Sequence, residues 1–175
     1  MSINITYRKL TRVTDEELEL FNKWDNDPEL VPYIRYSPDR EAFEKKRVFT
    51  HADIEKRLKK LHLYMVCLDE KPVGFFDFTI DPDMLHRKVP RTGWPAVVIG
   101  EKSARGKGIG VKVLDFLEIE MKKLGVKRVE LGVFEYNERA IRLYEKCGYR
   151  EFARIPDFTY YDGKMYADIR MEKYF

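Results

Sequence analysis

The stretch Arg105-Gly106-Lys107-Gly108-Ile109-Gly110 decides the fold, because it joins an apolar run to a long amphipathic segment. The apolar run, residues 94–99, predicts a strand in the interior of a sheet. After the stretch, apolar residues recur at helical spacing up to Leu124. Glycines between a strand and a helix let backbone N–H groups converge at the positive end of the helix dipole. The stretch therefore predicts a phosphate-binding loop, with a plain surface turn as the alternative.

The segments after this loop predict a right-handed βαβ unit followed by a helix and a hairpin. Residues 129–133 alternate apolar and polar side chains, as a strand does. Asn137 can cap a further helix that Gly148 would end. Residues 149–175 predict a terminal hairpin that turns near Asp162-Gly163.

The first half of the chain predicts an alternation of helices and strands. Thr14 and Thr50 each begin a pattern typical of a capping box, so helices should follow them. Three prolines predict a loop or short broken helices over residues 25–40. The remaining predicted elements are strands at residues 3–10, 63–68 and 73–80, the last two forming a hairpin, and an irregular crossing over residues 81–93.

Composition and length limit the function classes. The 175 residues are 44% hydrophobic and show no linker or repeat, which predicts one domain over residues 1–175. A net charge of +3, with both signs interspersed, argues against a nucleic-acid partner. No apolar run has the length of a signal peptide or membrane span, so we expect a cytoplasmic protein without a membrane partner. The two cysteines and three histidines lack metal-ligand spacing, so we expect no metal.

Two motifs in this order resemble the GNAT superfamily of acyl-CoA-dependent N-acetyltransferases. The first is the family's Arg/Gln-x-x-Gly-x-Gly/Ala loop, which Arg105, Gly108 and Gly110 match. The second is Asn-x-x-Ala-x-x-x-Tyr followed by Gly-Phe/Tyr, which is matched by Asn137, Ala140, Tyr144, Gly148 and Tyr149. The glycines do not fit nucleotide-binding loops, because Val111 stands where a dinucleotide fingerprint or a P-loop needs a different residue.

The resemblance implies an α/β fold of one domain. Its mixed central sheet would have about six to seven strands, with about four helices, and the central strands would splay apart. It also implies acetyl-CoA as acyl donor, with the pantetheine arm held along Val97, Val98 and Ile99. The pyrophosphate would lie on the loop formed by Arg105, Gly106, Lys107, Gly108, Ile109 and Gly110.

Tyr144 is the candidate general acid that the resemblance implies, and it would also contact the cofactor. It lies about two helical turns after Asn137, so both side chains face the same way. A phenol can give a proton to a thiolate leaving group and recover it later. The residues alone also allow a core tyrosine. Asn137 is implied as a second cofactor contact, although helix capping alone explains an Asn there.

The sequence assigns no general base. Residues 94–99 hold no ionisable side chain, and Pro95 stands about where some relatives place a Glu. Asp77, Glu101 and Glu135 are the remaining candidates, each also explained as a solvated carboxylate. A water chain is the further alternative.

The resemblance predicts acetyl transfer to a primary amine by direct attack in a ternary complex. The acceptor stays open among small amines, polyamines, amino sugars and peptide N-termini, and its site is expected among residues 24–49, 81–93 and 158–161. Several aromatic residues there could surround a cationic amine. A non-catalytic sensor of acyl-CoA or of an amine is the alternative function, and a homodimer is possible.

Overall fold

The computed structural model describes residues 3–175 of the chain, which form six helices and seven strands. Residues 1 and 2 of the predicted domain lie outside the described residues. In chain order the elements are β1 (Ile5–Lys9), α1 (Asp15–Asp25), α2 (Val31–Ile34), α3 (Arg40–Glu44), α4 (His51–Leu58), β2 (His62–Leu68), β3 (Lys71–Ile80), β4 (Thr92–Ile99), α5 (Ile109–Lys123), β5 (Arg128–Phe134), α6 (Glu138–Lys146), β6 (Arg150–Tyr161) and β7 (Lys164–Tyr174).

The strands form one seven-stranded sheet in the order β1-β2-β3-β4-β5-β7-β6. Neighbouring strands are antiparallel except for β4 and β5, which confirms the predicted mixed sheet. The parallel pairing of β4 with β5 covers only Thr92 with Arg128 and Gly93 with Val129. Beyond Gly93 the two strands separate, which confirms the predicted splay. The gap between them lies at the carboxyl end of β4, where the glycine loop begins.

The four predicted helices are present as α1, α4, α5 and α6. Both predicted capping boxes form, with Thr14 and Thr50 accepting a hydrogen bond from the backbone three residues later. The proline-rich segment holds the short helix α2, and α3 follows directly after it. Pro32 lies in the first turn of α2, where a proline needs no hydrogen-bond partner.

Two hydrophobic cores flank the sheet. On one face, α5 and α6 pack over the central strands, with Val113, Leu117 and Met121 fully buried or nearly so. On the other face, α1 and α4 pack with Phe21, Trp24 and Ile54 against the first strands. The sheet is thus covered on both sides near β2 and β3, and the splayed region remains open.

Two boundaries depend on local contacts. β4 begins at Thr92, two residues earlier than predicted, because the Asp81 carboxylate accepts hydrogen bonds from the N–H groups of Arg91 and Thr92. The terminal hairpin turns at Asp162 and Gly163 as predicted, and both have a positive φ.

None of the helices over residues 3–175 combines the length and the apolar character that crossing a bilayer requires.

Candidate active site

The glycine loop leaves backbone N–H groups without side-chain partners at the start of α5. Gly106 and Gly108 have φ values of +74° and +72°, which only glycine adopts without strain. Gly108 is the N-cap of α5, and no side chain accepts a hydrogen bond there. The first turn of a helix leaves its N–H groups without partners inside the helix. The loop and the start of α5 can therefore bind an anion.

Arg105 holds this loop against the end of β4. Its Nε donates to the carbonyl oxygen of Ile99 at 3.1 Å, and its Nη2 donates to that of Gly100 at 2.7 Å. Its Nη1 donates to Glu29 at 3.3 Å. These bonds occupy the guanidinium group, so Arg105 contributes to the loop as a brace.

A cavity of about 1320 Å³ extends from this loop into the gap between β4 and β5. Ten of the predicted site residues line it: Val97, Val98, Ile99, Arg105, Gly106, Gly108, Ile109, Gly110, Asn137 and Tyr144. Lys107 is exposed and does not line it. Gly110 has a second reason to be glycine, because a Cβ there would lie 2.8 Å from Leu143 of α6.

Tyr144 is half-buried on α6, and its ring packs edge-on against Tyr149 at 5.9 Å between centroids. Its hydroxyl makes no hydrogen bond to any residue in the described range, so a ligand in the cavity can take one. Burial, with a smaller contribution from Cys147, raises the pKa of Tyr144 to about 12. The phenol is therefore protonated at neutral pH and can act as a proton donor.

Asn137 both lines the cavity and caps α6. Its Oδ1 accepts a hydrogen bond from the N–H of Ala140 at 3.2 Å. The capping role accounts for Asn at this position without a ligand. Its Nδ2 donates to no residue of the described chain.

The three carboxylates suggested as general bases lie away from the cavity lining. Asp77 is buried and not solvated. Its Oδ2 accepts a hydrogen bond from Nη2 of Arg57 on α4 at 3.1 Å. Burial outweighs this contact and raises the pKa of Asp77 to about 6. Glu101 accepts hydrogen bonds from Lys23 and Trp24, and Glu135 accepts one from the N–H of Ala167.

Sequence reasoning missed Asp168 and Arg170, two buried residues of β7 that line the cavity. Arg170 Nε donates to Asp168 Oδ2 at 2.7 Å. The Arg170 guanidinium lies over the Trp94 ring, 4.8 Å from its centroid. Burial raises the pKa of Asp168, although Arg170 opposes the shift. In the sequence the pair alternates with Ile169 and Met171, a pattern that a strand with one solvated face also has.

Aromatic side chains surround this end of the cavity. Four of the lining members, Tyr33, Tyr36, Phe158 and Tyr161, come from two of the three regions where the sequence predicts the acceptor site, and Trp94 of β4 is a fifth. Tyr36 and Phe158 contact each other, with ring centroids 4.8 Å apart. Trp24 is fully buried under β3 and β4, outside this group.

A cavity with an anion-binding loop at one end and a splayed sheet at its centre is what the resemblance to the GNAT superfamily implies. The profile of the acetyltransferase (GNAT) family matches residues 18–149, about three quarters of the chain. The chain belongs to the GNAT acetyltransferase family.

Local matches to Bacillus subtilis proteins agree: 44% identity over 45 residues with the uncharacterised N-acetyltransferase YdgE, and 30% over 66 residues with YwnH, a candidate phosphinothricin acetyltransferase. These stretches cover 26% and 38% of this GNAT chain, and 29% and 40% of the two relatives.

Solved structures share the fold over nearly the whole GNAT chain. Spermidine N-acetyltransferase from Vibrio cholerae, in complex with CoA and spermine, has a TM-score of 0.74 at 16% identity, covering 97% of this chain and 95% of that one. Ribosomal-protein-alanine N-acetyltransferase from Brucella melitensis has a TM-score of 0.75 at 16% identity, covering 97% and 99%. At this identity the likeness shows the fold alone.

Proposed function

We propose that this GNAT protein transfers the acetyl group of acetyl-CoA to a primary amine by direct attack in a ternary complex. The observation that carries the proposal is the single cavity that joins the glycine loop, the β4–β5 gap and Tyr144. Acetyl-CoA supplies the thioester when bound. In the structures of relatives, CoA is present with a spermidine N-acetyltransferase and acetyl-CoA with a Salmonella typhimurium protein of the same fold.

The cavity's residues suit the two halves of the donor. Backbone N–H groups over residues 105–110 would hold the pyrophosphate, with the helix dipole of α5 favouring its charge. The extended backbone of Val97, Val98 and Ile99 has no partner strand on the β5 side, because pairing with β5 ends at Gly93. Its N–H and C=O groups can therefore bind the amides of the pantetheine arm.

The chemistry needs one bond made, one broken and two proton movements. The neutral amine attacks the thioester carbon, the C–S bond breaks, and the amine nitrogen loses a proton. Tyr144 is the proposed donor of the proton that the departing sulfur takes. The proton that the amine nitrogen loses then passes through water to the Tyr144 oxygen and restores the phenol. A backbone N–H of β4 would stabilise the carbonyl oxygen as it gains charge.

Release of free thiol from acetyl-CoA across a panel of amines tests this proposal. Tyr144→Phe should lower kcat by about 10²-fold or more, a typical contribution of a general acid, while the Kd for acetyl-CoA stays nearly constant. Tyr149→Phe is the matched control, since its hydroxyl is bound to Glu118 at 2.9 Å outside the cavity. Unchanged turnover in Tyr144→Phe would refute the assignment. Acetyl-CoA binding without thiol release from any amine would favour the sensor function instead.

A further inference from the structure

Charged side chains at the acceptor end of the cavity form a network of ion pairs and hydrogen bonds. Glu130 accepts four hydrogen bonds, from the N–H groups of His86 and Arg87 and from the side chains of Arg128 and Arg170. Both of its oxygens are therefore fully used. Glu172 is held in the same way by Arg87 and Arg128. Within the described chain, this leaves the cavity-lining pair of Asp168 and Arg170 as the part of the network that can take a ligand.

Each member of that pair has a polar atom without a partner in the described range. Asp168 uses Oδ2 for Arg170, and its Oδ1 accepts nothing. Arg170 uses Nε for Asp168 and Nη1 for Glu130 and the carbonyl oxygen of Met84, and its Nη2 donates to nothing. Both side chains are at least nine-tenths buried and line the cavity. Neither atom is fully enclosed by protein, so both are open to the cavity, and a ligand can take the hydrogen bonds that water would otherwise make there.

Gly132 makes room for this arrangement. A Cβ at Gly132 would lie 2.7 Å from Asp168 Oδ2 and 3.2 Å from the Trp94 ring. The carboxylate can therefore lie against the β5 backbone, beside the gap where the thioester is proposed to sit. Asp168 is paired with Phe134, the last residue of β5, which places it at the open end of the splay.

We propose that the acceptor is a free α-amino acid, whose ammonium group binds Asp168 Oδ1 and releases one proton to water before its nitrogen attacks, and whose carboxylate binds Arg170 Nη2. This inference rests on the proposed function and names its substrate class. The Asp168 carboxylate and the Arg170 guanidinium are joined by a hydrogen bond of 2.7 Å, so a ligand that binds both groups carries its two charges close together, as an α-amino acid does. A polyamine would instead bring a second cation against Arg170.

The other acidic groups of the lining do not favour a polycation. Glu29 is bound by Lys102 and Arg105 near the glycine loop. Glu138 is an exposed residue at the start of α6. A zwitterion leaves the balanced network neutral, because Asp168 and Arg170 each receive one opposite charge. The surrounding aromatic rings would then contact the amino-acid side chain.

The experiment compares free L-amino acids with their carboxamides and with spermidine as acceptors, by thiol release from acetyl-CoA. The carboxamides keep the α-amine and lose only the carboxylate charge. We expect kcat/KM to be about 10- to 100-fold higher for the favoured amino acid than for its carboxamide, which is the range for a hydrogen bond to a charged group. Arg170→Lys should reduce this preference to near unity. Glu172→Gln, which alters the network outside the cavity, should keep it.

The wild-type comparison requires no variant to fold, so it decides the inference by itself. Faster thiol release with spermidine or with carboxamides than with any free amino acid would overturn the substrate class and leave the proposed function standing. Bound acetyl-CoA with no thiol release from any acceptor would overturn the proposed function. Retention of the full preference in Arg170→Lys would overturn the role of Nη2.

Discussion

Gly108→Ala separates the conformational role of the loop from its contact with a ligand. Gly108 has φ +72° and ψ 10°, in the left-handed region, and no atom lies within 4 Å of a Cβ placed there. The added methyl group therefore meets no protein atom. It projects from the N-cap of α5, where the proposed pyrophosphate site requires close approach of the backbone.

The structural cost of this substitution follows from the backbone conformation alone. A residue with a Cβ in the left-handed region costs about 1–2 kcal/mol, which lowers the Tm of a chain of this size by about 2–8 °C. The binding cost is separate, because one lost hydrogen bond to a charged phosphate is about 1.5–3 kcal/mol, or about 10- to 100-fold in Kd.

Gly163→Ala is the matched control. Gly163 has φ +83°, a Cβ added to it would likewise meet no atom within 4 Å, and it lies in the β6–β7 turn outside the cavity. Differential scanning calorimetry should show similar losses of Tm in the two variants. Isothermal titration with acetyl-CoA should show weaker binding in Gly108→Ala only. Equal affinities in the two variants would refute the assignment of the loop to the pyrophosphate.

Two further predictions concern stability. Asp77→Asn removes a buried carboxyl whose pKa is about 6 in the fold, so the folded protein holds that proton more tightly than the unfolded chain. The wild type should lose about 3 kcal/mol relative to the variant as the pH rises from about 4 to above 6, measured by urea unfolding; a difference independent of pH would contradict the burial. Gly74→Val places a Cβ 2.2 Å from the Val98 carbonyl oxygen across the β3–β4 pair. It should cost about 1–3 kcal/mol of unfolding free energy, and an unchanged urea midpoint would show that β4 shifts freely.

Short-range chemistry made most of the fold predictable. Thr14 and Thr50 form capping boxes from residues three apart, and Asp162-Gly163 turns the hairpin through its own backbone preferences. The glycine loop is predictable for the same reason, since its conformation depends on Gly106 and Gly108 themselves. Such features need no knowledge of distant contacts.

Buried charges at the acceptor end were not predictable in this way. Arg128 and Glu130 of β5 are fully buried, yet their alternation with apolar residues matches a strand with one solvated face. The loop over residues 81–91 covers them, through the N–H groups that donate to Glu130. Asp77 was expected to be solvated for the same reason, and Arg57 from a separate helix makes its burial possible. Which polar face of a strand is covered depends on tertiary contacts between distant segments.

A crystal structure with CoA tests the central claim most directly. We expect the pyrophosphate within hydrogen-bond distance of backbone N–H groups over residues 105–110. We expect the thiol in the β4–β5 gap, beside the Tyr144 hydroxyl. CoA bound elsewhere, or a thiol that points away from Tyr144 and from the cavity end that holds Asp168, would contradict the account.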